Sequence, residues 1–146
     1  MATGTDISTW FEGQWHRGDV MIMRAADHGS WLGSSVFDGA RYFDGRCPDL
    51  MAHCERVNRS ARALMLEPTV SSTEMVDIVA EGLKAYAPED AVYIRPTYWG
   101  IHGDATAIVP DASEVGFAIV LEKIPMAAPE ASVTLGRTRF RRPVLE

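Results

Sequence analysis

Phe37, Arg41, Arg56, Tyr93 and Arg95 are the residues of this chain whose types could do recognition chemistry together. Arginine presents a planar fork of donors suited to bidentate recognition of carboxylate or phosphate. A site for an anionic organic molecule, or for an anionic cofactor, is the chemistry they imply. Arg56 shares one helical face with His53 and Ser60, at spacings of three and four residues. Such a face can grip an anion or simply meet water. Arg95 stands between Tyr93 and Thr97 in an alternating strand pattern, and a half-buried guanidinium there needs an anionic partner, either a structural carboxylate or a ligand.

The stretch Ser34-Ser35-Val36-Phe37-Asp38-Gly39-Ala40-Arg41 combines small residues with one aromatic and one cation. That composition suits a binding wall that backbone or ligand can approach closely, and composition alone suits a tight turn better. Other chemistries find no support. There is no glycine-rich phosphate loop, no H-E-x-x-H and no paired C-x-x-C, and Gly33-Ser34-Ser35 lacks the spacing of a nucleophile elbow. His28, Cys47, His53 and Cys54 are too irregular a set for a metal site.

The elements that must position these residues belong to one domain of 146 residues, long enough for a real core. Hydrophobic residues make up 47% and charged residues 23%, the balance of a soluble globular protein, and no apolar run reaches bilayer length. The net charge of -6 argues against nucleic acid as the main partner. The one basic cluster, Arg137, Arg139, Arg141 and Arg142, reads as a solvated strand edge. The first residues show neither a basic nor an apolar leader region, so a cytoplasmic location is expected. Cys47 and Cys54 are then free thiols, and Asn58-Arg59-Ser60, inside a predicted helix, is a chance match to a glycosylation acceptor.

Along the chain, residues 10–15 predict a hairpin turning at Gly13. Residues 20–23 form a short apolar run that 27–30 break, and 31–37 read as either a short helix or a loop. Residues 40–43 followed by Asp44-Gly45 predict a tight hairpin with a brief returning strand. Pro48 marks a helix start with Asp49 beside it, and Leu50, Cys54, Val57, Ala61 and Leu64 make its buried stripe. Pro68 ends that helix. Ser71-Ser72-Thr73-Glu74 is a capping box for the next, whose stripe is Met75, Ile78, Val79, Gly82, Leu83 and Tyr86. Residues 92–99 predict a strand that Pro96 relegates to an edge or a bulge. Residues 100–113 read as a long loop, 115–121 as a central strand, 126–129 as a turn and 132–140 as a last strand. The order predicts an α+β domain: a largely antiparallel sheet with two helices packed on it.

Taken together, Trp10-Phe11-Glu12-Gly13-Gln14, the stretch from Gly33 to Arg41, His53-Cys54-Glu55-Arg56 with Ser60-Ala61, and Tyr93-Ile94-Arg95-Pro96 resemble, in order and spacing, the branched-chain amino acid aminotransferases. These are fold type IV enzymes that use pyridoxal phosphate. The resemblance implies that Arg56 meets the cofactor phosphate with His53 in support. It implies that Phe37 and Gly39 line the pocket for the substrate side chain, and that Tyr93 holds the substrate near its carboxylate. Arg95 would meet the distal carboxylate of glutamate or 2-oxoglutarate, with Arg41 supporting it, and Val109 would reach the partner's site in a homodimer. The substrates implied are an amino acid and a 2-oxo acid.

Such an enzyme holds its cofactor on a lysine as a Schiff base. This sequence contains only Lys84 and Lys123, and neither matches the family's lysine segment, which follows an Arg-Arg-Pro-like stretch comparable to Arg141-Arg142-Pro143. The chain therefore resembles the small N-terminal domain of such an enzyme without its cofactor-binding domain, truncated and inactive alone, with no catalytic residue of its own. Trp31-Leu32 departs from the family, which typically has tyrosine at the second position, and this leaves the substrate preference open. A related D-amino acid or amine transaminase, or an aminodeoxychorismate lyase, shares the resemblance. From another class, a non-catalytic domain for anionic metabolites or for dimerisation fits the missing lysine.

Overall fold

The structure, a computed structural model, describes residues 4–128 and 130–140. Its first element is the expected hairpin. β1 (Thr5–Phe11) and β2 (Gln14–Arg17) pair antiparallel, with Trp10 opposite Trp15. Glu12 and Gly13 between them both take positive φ, the geometry that matches the right-handed twist of a two-residue hairpin. Residues 20–23 stay without regular structure. The break at 27–30 holds a single turn of helix, α1 (His28–Trp31), and the stretch 31–37 that read as helix or loop ends instead in a strand, β3 (Ser35–Phe37).

β4 (Ala40–Tyr42) runs into the Asp44-Gly45 turn, both residues at positive φ, and the returning strand is one bridge, Phe43 to Arg46. α2 (Leu50–Ala63) starts two residues after Pro48 rather than at it. Asp49 is left-handed at φ 53°, so Pro48-Asp49 forms a turn with proline first and a positive-φ residue second, which keeps the proline outside the helix. α3 (Ser72–Leu83) begins as its capping box predicts: the Ser71 hydroxyl accepts from the Glu74 N–H at 3.2 Å.

β5 (Val92–Gly100) and β6 (Val115–Lys123) pair along their whole length. All pairs in the six-stranded sheet are antiparallel, in the order β2-β1-β6-β5-β3, with β4 also on β5. β5 is thus central, which corrects the edge position that Pro96 predicted. β3 covers its Thr97–Trp99 part and β4 its Val92–Ile94 part, and between them the neighbouring chain bends at Asp38-Gly39. The Pro96 carbonyl accepts from Asp38 N–H at 3.1 Å, so the proline's missing donor points at that bend, where no ladder partner asks for one.

Helices α2 and α3 pack on one face of the sheet. Val57 and Ala61 of α2 and Met75 and Val79 of α3 meet Ile94, Tyr98, Ile119 and Leu121 in the core, each large aliphatic contributing about 1.5–3 kcal/mol by its burial. The Tyr98 hydroxyl donates to the Val70 carbonyl and accepts from the Val70 N–H, and burial pushes its pKa up to about 12. Asn58 is buried and donates to the same carbonyl, so it is a structural residue in the helix. Residues 132–140 form no strand. Val133 and Leu135 are exposed, because alternation without a partner strand among the described residues gives no ladder. Arg137 and Arg139 are consequently not on a strand edge, and Arg141 and Arg142 lie outside the described residues.

Candidate functional site

The sheet face away from α2 and α3 carries the arginine–aromatic cluster. Cross-strand register aligns Arg41, Tyr93 and Glu122 in one row over β4, β5 and β6, while Ala40, Ile94 and Leu121 in the next row point into the core. Two guanidiniums lie over the Tyr93 ring, Arg41 Cζ 5.2 Å and Arg95 Cζ 5.8 Å from its centroid. Gly39 seats the same ring. A Cβ at position 39 would overlap the Tyr93 hydroxyl and lie 2.8 Å from Cε2, so only glycine leaves room for the tyrosine.

Each arginine of this cluster has a protein partner. Arg41 Nη1 donates to the Ile124 carbonyl at 2.8 Å, and Arg95 Nη1 lies 3.7 Å from Glu122 Oε2. Glu122 is buried and accepts from the Gly4 N–H at 2.5 Å. The partner that Arg95 required is therefore a structural carboxylate, and the Arg95 side chain stays over a third exposed beside it.

A second cluster joins the first through one peptide bond. Asp38, next to Gly39, sends its carboxylate to α2, where Arg56 donates from Nε to Oδ2 at 2.5 Å and from Nη2 to Oδ1 at 2.7 Å. His53 Nδ1 reaches Oδ1 at 2.8 Å, and the Gly39 N–H adds a fourth bond at 2.7 Å. The His53–Arg56 face does grip an anion, and in this structure the anion is the chain's own Asp38. Ser60 on that face takes no part in the network. Burial alone would push the Asp38 carboxyl up, but the hydrogen bonds from Arg56, His53 and the Gly39 N–H, with the Arg56 charge, hold it below the ordinary carboxylate value. Cys54, one residue from His53, is a buried thiol pushed up to about 11 by burial and by the charges of Asp38 and Glu55, too high for a thiolate at neutral pH.

The sign of the Asp38 shift fixes a pH dependence. Its folded pKa is depressed, so its contribution is present above the unfolded carboxylate value and is lost as pH falls through the folded one. Acid titration of the urea midpoint below about pH 4 should thus fall more steeply in the wild type than in Asp38→Asn. Equal slopes would show that Asp38 is not the titrating group.

The structure brings Gly39, Arg41, Tyr93 and Arg95 into one cluster and His53 and Arg56 into its neighbour. Phe37 stands on the same strand register as Thr97, with its side chain 63% exposed at the rim. Val109 is in the loop after β5, its carbonyl closing a turn onto Asp104 N–H, and among the described residues no hydrogen bond ties it to the cluster. Lys84 is exposed at the end of α3, and Lys123 is paired with Asp90. The stretch 141–143 lies outside the described residues. Sequence reading missed Asp38 and Glu122 as site residues. For Glu122 the signal was a charge at the end of an otherwise apolar central strand, and for Asp38 an acid flanked by the pocket residues Phe37 and Gly39.

The family Amino-transferase class IV matches residues 35–144. A Rickettsia typhi protein named a probable branched-chain-amino-acid aminotransferase is 30% identical over 134 residues, covering 88% of this chain and 46% of that protein. An aminotransferase of Brucella abortus, solved with the cofactor PLP bound, is 51% identical with a TM-score of 0.90, covering 94% of this chain and 49% of that one. The Escherichia coli branched-chain amino acid aminotransferase shares the fold, at 20% identity and a TM-score of 0.69 over 88% of this chain and 42% of that one. The chain spans about half the length of these relatives. With a match over three-quarters of its residues, the chain belongs to the class IV aminotransferases.

Proposed function

We propose that this chain is the substrate-shaping part of a pyridoxal phosphate-dependent aminotransferase that exchanges an amino group between a branched-chain amino acid and 2-oxoglutarate. The observation that carries the reading is the seating of Tyr93 on Gly39 with Arg41 and Arg95 over its ring, one peptide bond from the Asp38–Arg56 pair. A carboxylate contact and a phosphate contact then stand side by side. The residues fit the cofactor: Asp38 occupies the Nε and Nη2 edge of Arg56, and its Nη1 end sits on a side chain 56% exposed, free to meet a phosphate.

In this reading Arg56, with His53 behind it, binds the phosphate. Tyr93 holds the substrate near its carboxylate, and Phe37 and Gly39 wall the pocket for its side chain. Arg95 meets the distal carboxylate of glutamate or 2-oxoglutarate, and Arg41 keeps Tyr93 and Arg95 in place from the adjoining strand. When bound, the cofactor supplies an electron sink that lets a proton leave the substrate α-carbon. The lysine that carries it comes from outside residues 1–146, because Lys123 is engaged by Asp90 and Lys84 is on the surface. Residues 1–146 are then the small domain, inactive alone, of a cytoplasmic homodimer in which Val109 reaches the partner's site.

Steady-state kinetics of the holoenzyme with leucine and 2-oxoglutarate test the reading. Arg95→Ala should raise KM for 2-oxoglutarate about tenfold or more, as loss of a charged hydrogen-bond partner predicts, and change KM for leucine much less. Unchanged turnover with glutamate would move the assignment to an amine transaminase of the same fold.

A further inference from the structure

We propose that Asp38 is a positioning residue for cofactor binding: it orients Arg56 toward the phosphate and ties that contact to the substrate pocket. The inference rests on the reading of Arg56 as the phosphate contact. A lone exposed arginine samples many rotamers, and fixing it at the moment of binding costs side-chain entropy. Arg56 is exposed over more than half of its side chain, yet two of its nitrogens are held bidentately on one carboxylate.

That carboxylate is itself immobile. Its side chain is 5% exposed, and Oδ1 also accepts from the Gly39 N–H and contacts His53 Nδ1. Its backbone is fixed by the bond from its N–H to the Pro96 carbonyl of the central strand. Asp38 therefore transmits the position of β5 to a side chain on α2. The next residue, Gly39, seats Tyr93, which neighbours Arg95. Two consecutive residues thus set the spacing between the phosphate contact and the substrate-carboxylate contact. The negative charge of Asp38 opposes a second anion on the same guanidinium. The Arg56 guanidinium stands between the two anions and offsets that repulsion, so orientation is the larger effect.

The test compares pyridoxal phosphate with pyridoxal, which lacks the phosphate, by spectroscopic titration of the apo form of the full-length protein carrying this chain. Asp38→Asn should weaken pyridoxal phosphate about tenfold, the scale of one charged hydrogen bond, and leave pyridoxal within about twofold. Arg56→Gln is the reference, since it removes the phosphate contact outright. If Arg56→Gln leaves the ratio of the two affinities unchanged, the reading of Arg56 fails. If Arg56→Gln lowers the ratio and Asp38→Asn does not, the positioning role alone is overturned. Equal loss of both ligands in Asp38→Asn would assign Asp38 a purely structural role, and tighter binding of pyridoxal phosphate would make it a competitor; either result overturns the proposal.

Discussion

Gly116→Val should lower the stability of this domain by about 3 kcal/mol, at the top of the range for overpacking a core. Gly116 lies on β6 opposite Trp99, and a Cβ there would overlap Cε2 and Cζ2 of the indole and lie 2.7 Å from Nε1. Displacing the ring disturbs its other contacts. Trp99 is buried, its Nε1–H donates to the Asp38-independent carboxylate of Asp27 at 3.0 Å, and Gly29 of α1 closes on its Cβ from another side. Moving the indole breaks that bond and leaves the buried Asp27 with one partner fewer, the Arg24 N–H remaining. The melting midpoint should fall by roughly 6–12 °C, from the usual relation between free energy and midpoint for a domain of this size. A midpoint within about 2 °C of wild type would mean that β6 can shift and that the contact is not a constraint.

The parts of the fold that could be read from the sequence are those set by local pattern. The buried stripes of α2 and α3, the capping box at Ser71, the Asp44-Gly45 turn and the apolar β6 are local patterns, and each appears where its spacing placed it, except that α3 ends at Leu83, short of Tyr86. Pro96 misled because the rule for proline concerns the missing donor, whereas its consequence depends on what lies opposite. A bend in the neighbouring chain removes the need for that donor in a central strand. Residues 132–140 misled for the converse reason, since alternation describes a strand only when a ladder partner exists.

In the site, the alternation of β5 already put Tyr93, Arg95 and Thr97 on one side, and the helical spacing already joined His53 to Arg56. What closes the site is long-range. The partner of Arg56 is 18 residues away across a strand bend, and the partner of Arg95 is on the adjacent strand. No local period contains either. Both partners are carboxylates, so an unpaired arginine on a half-buried face was the right prompt, and finding its counter-charge needed the sheet order.

Gly39→Ala should have the opposite balance to Gly116→Val: a small cost in stability and a large one at the site. The new methyl would overlap the Tyr93 hydroxyl and lie 2.8 Å and 2.9 Å from Cε2 and Cζ. These atoms are the far end of a half-buried side chain on the face away from the core, so the ring can swing aside while both strands stay in register. The stability loss should be about 1 kcal/mol, the lower end for overpacking. The ring cannot swing without leaving the two guanidiniums that lie over it, and Arg41 and Arg95 lose their aromatic contact. A displacement of about 1 Å at a positioning group can cost on the order of a hundredfold in rate, so kcat/KM of the holoenzyme should drop by about that factor while its melting midpoint barely moves. Full activity in Gly39→Ala would show that Tyr93 does not need its seat, and the carboxylate contact would then have to be sought elsewhere on the open face.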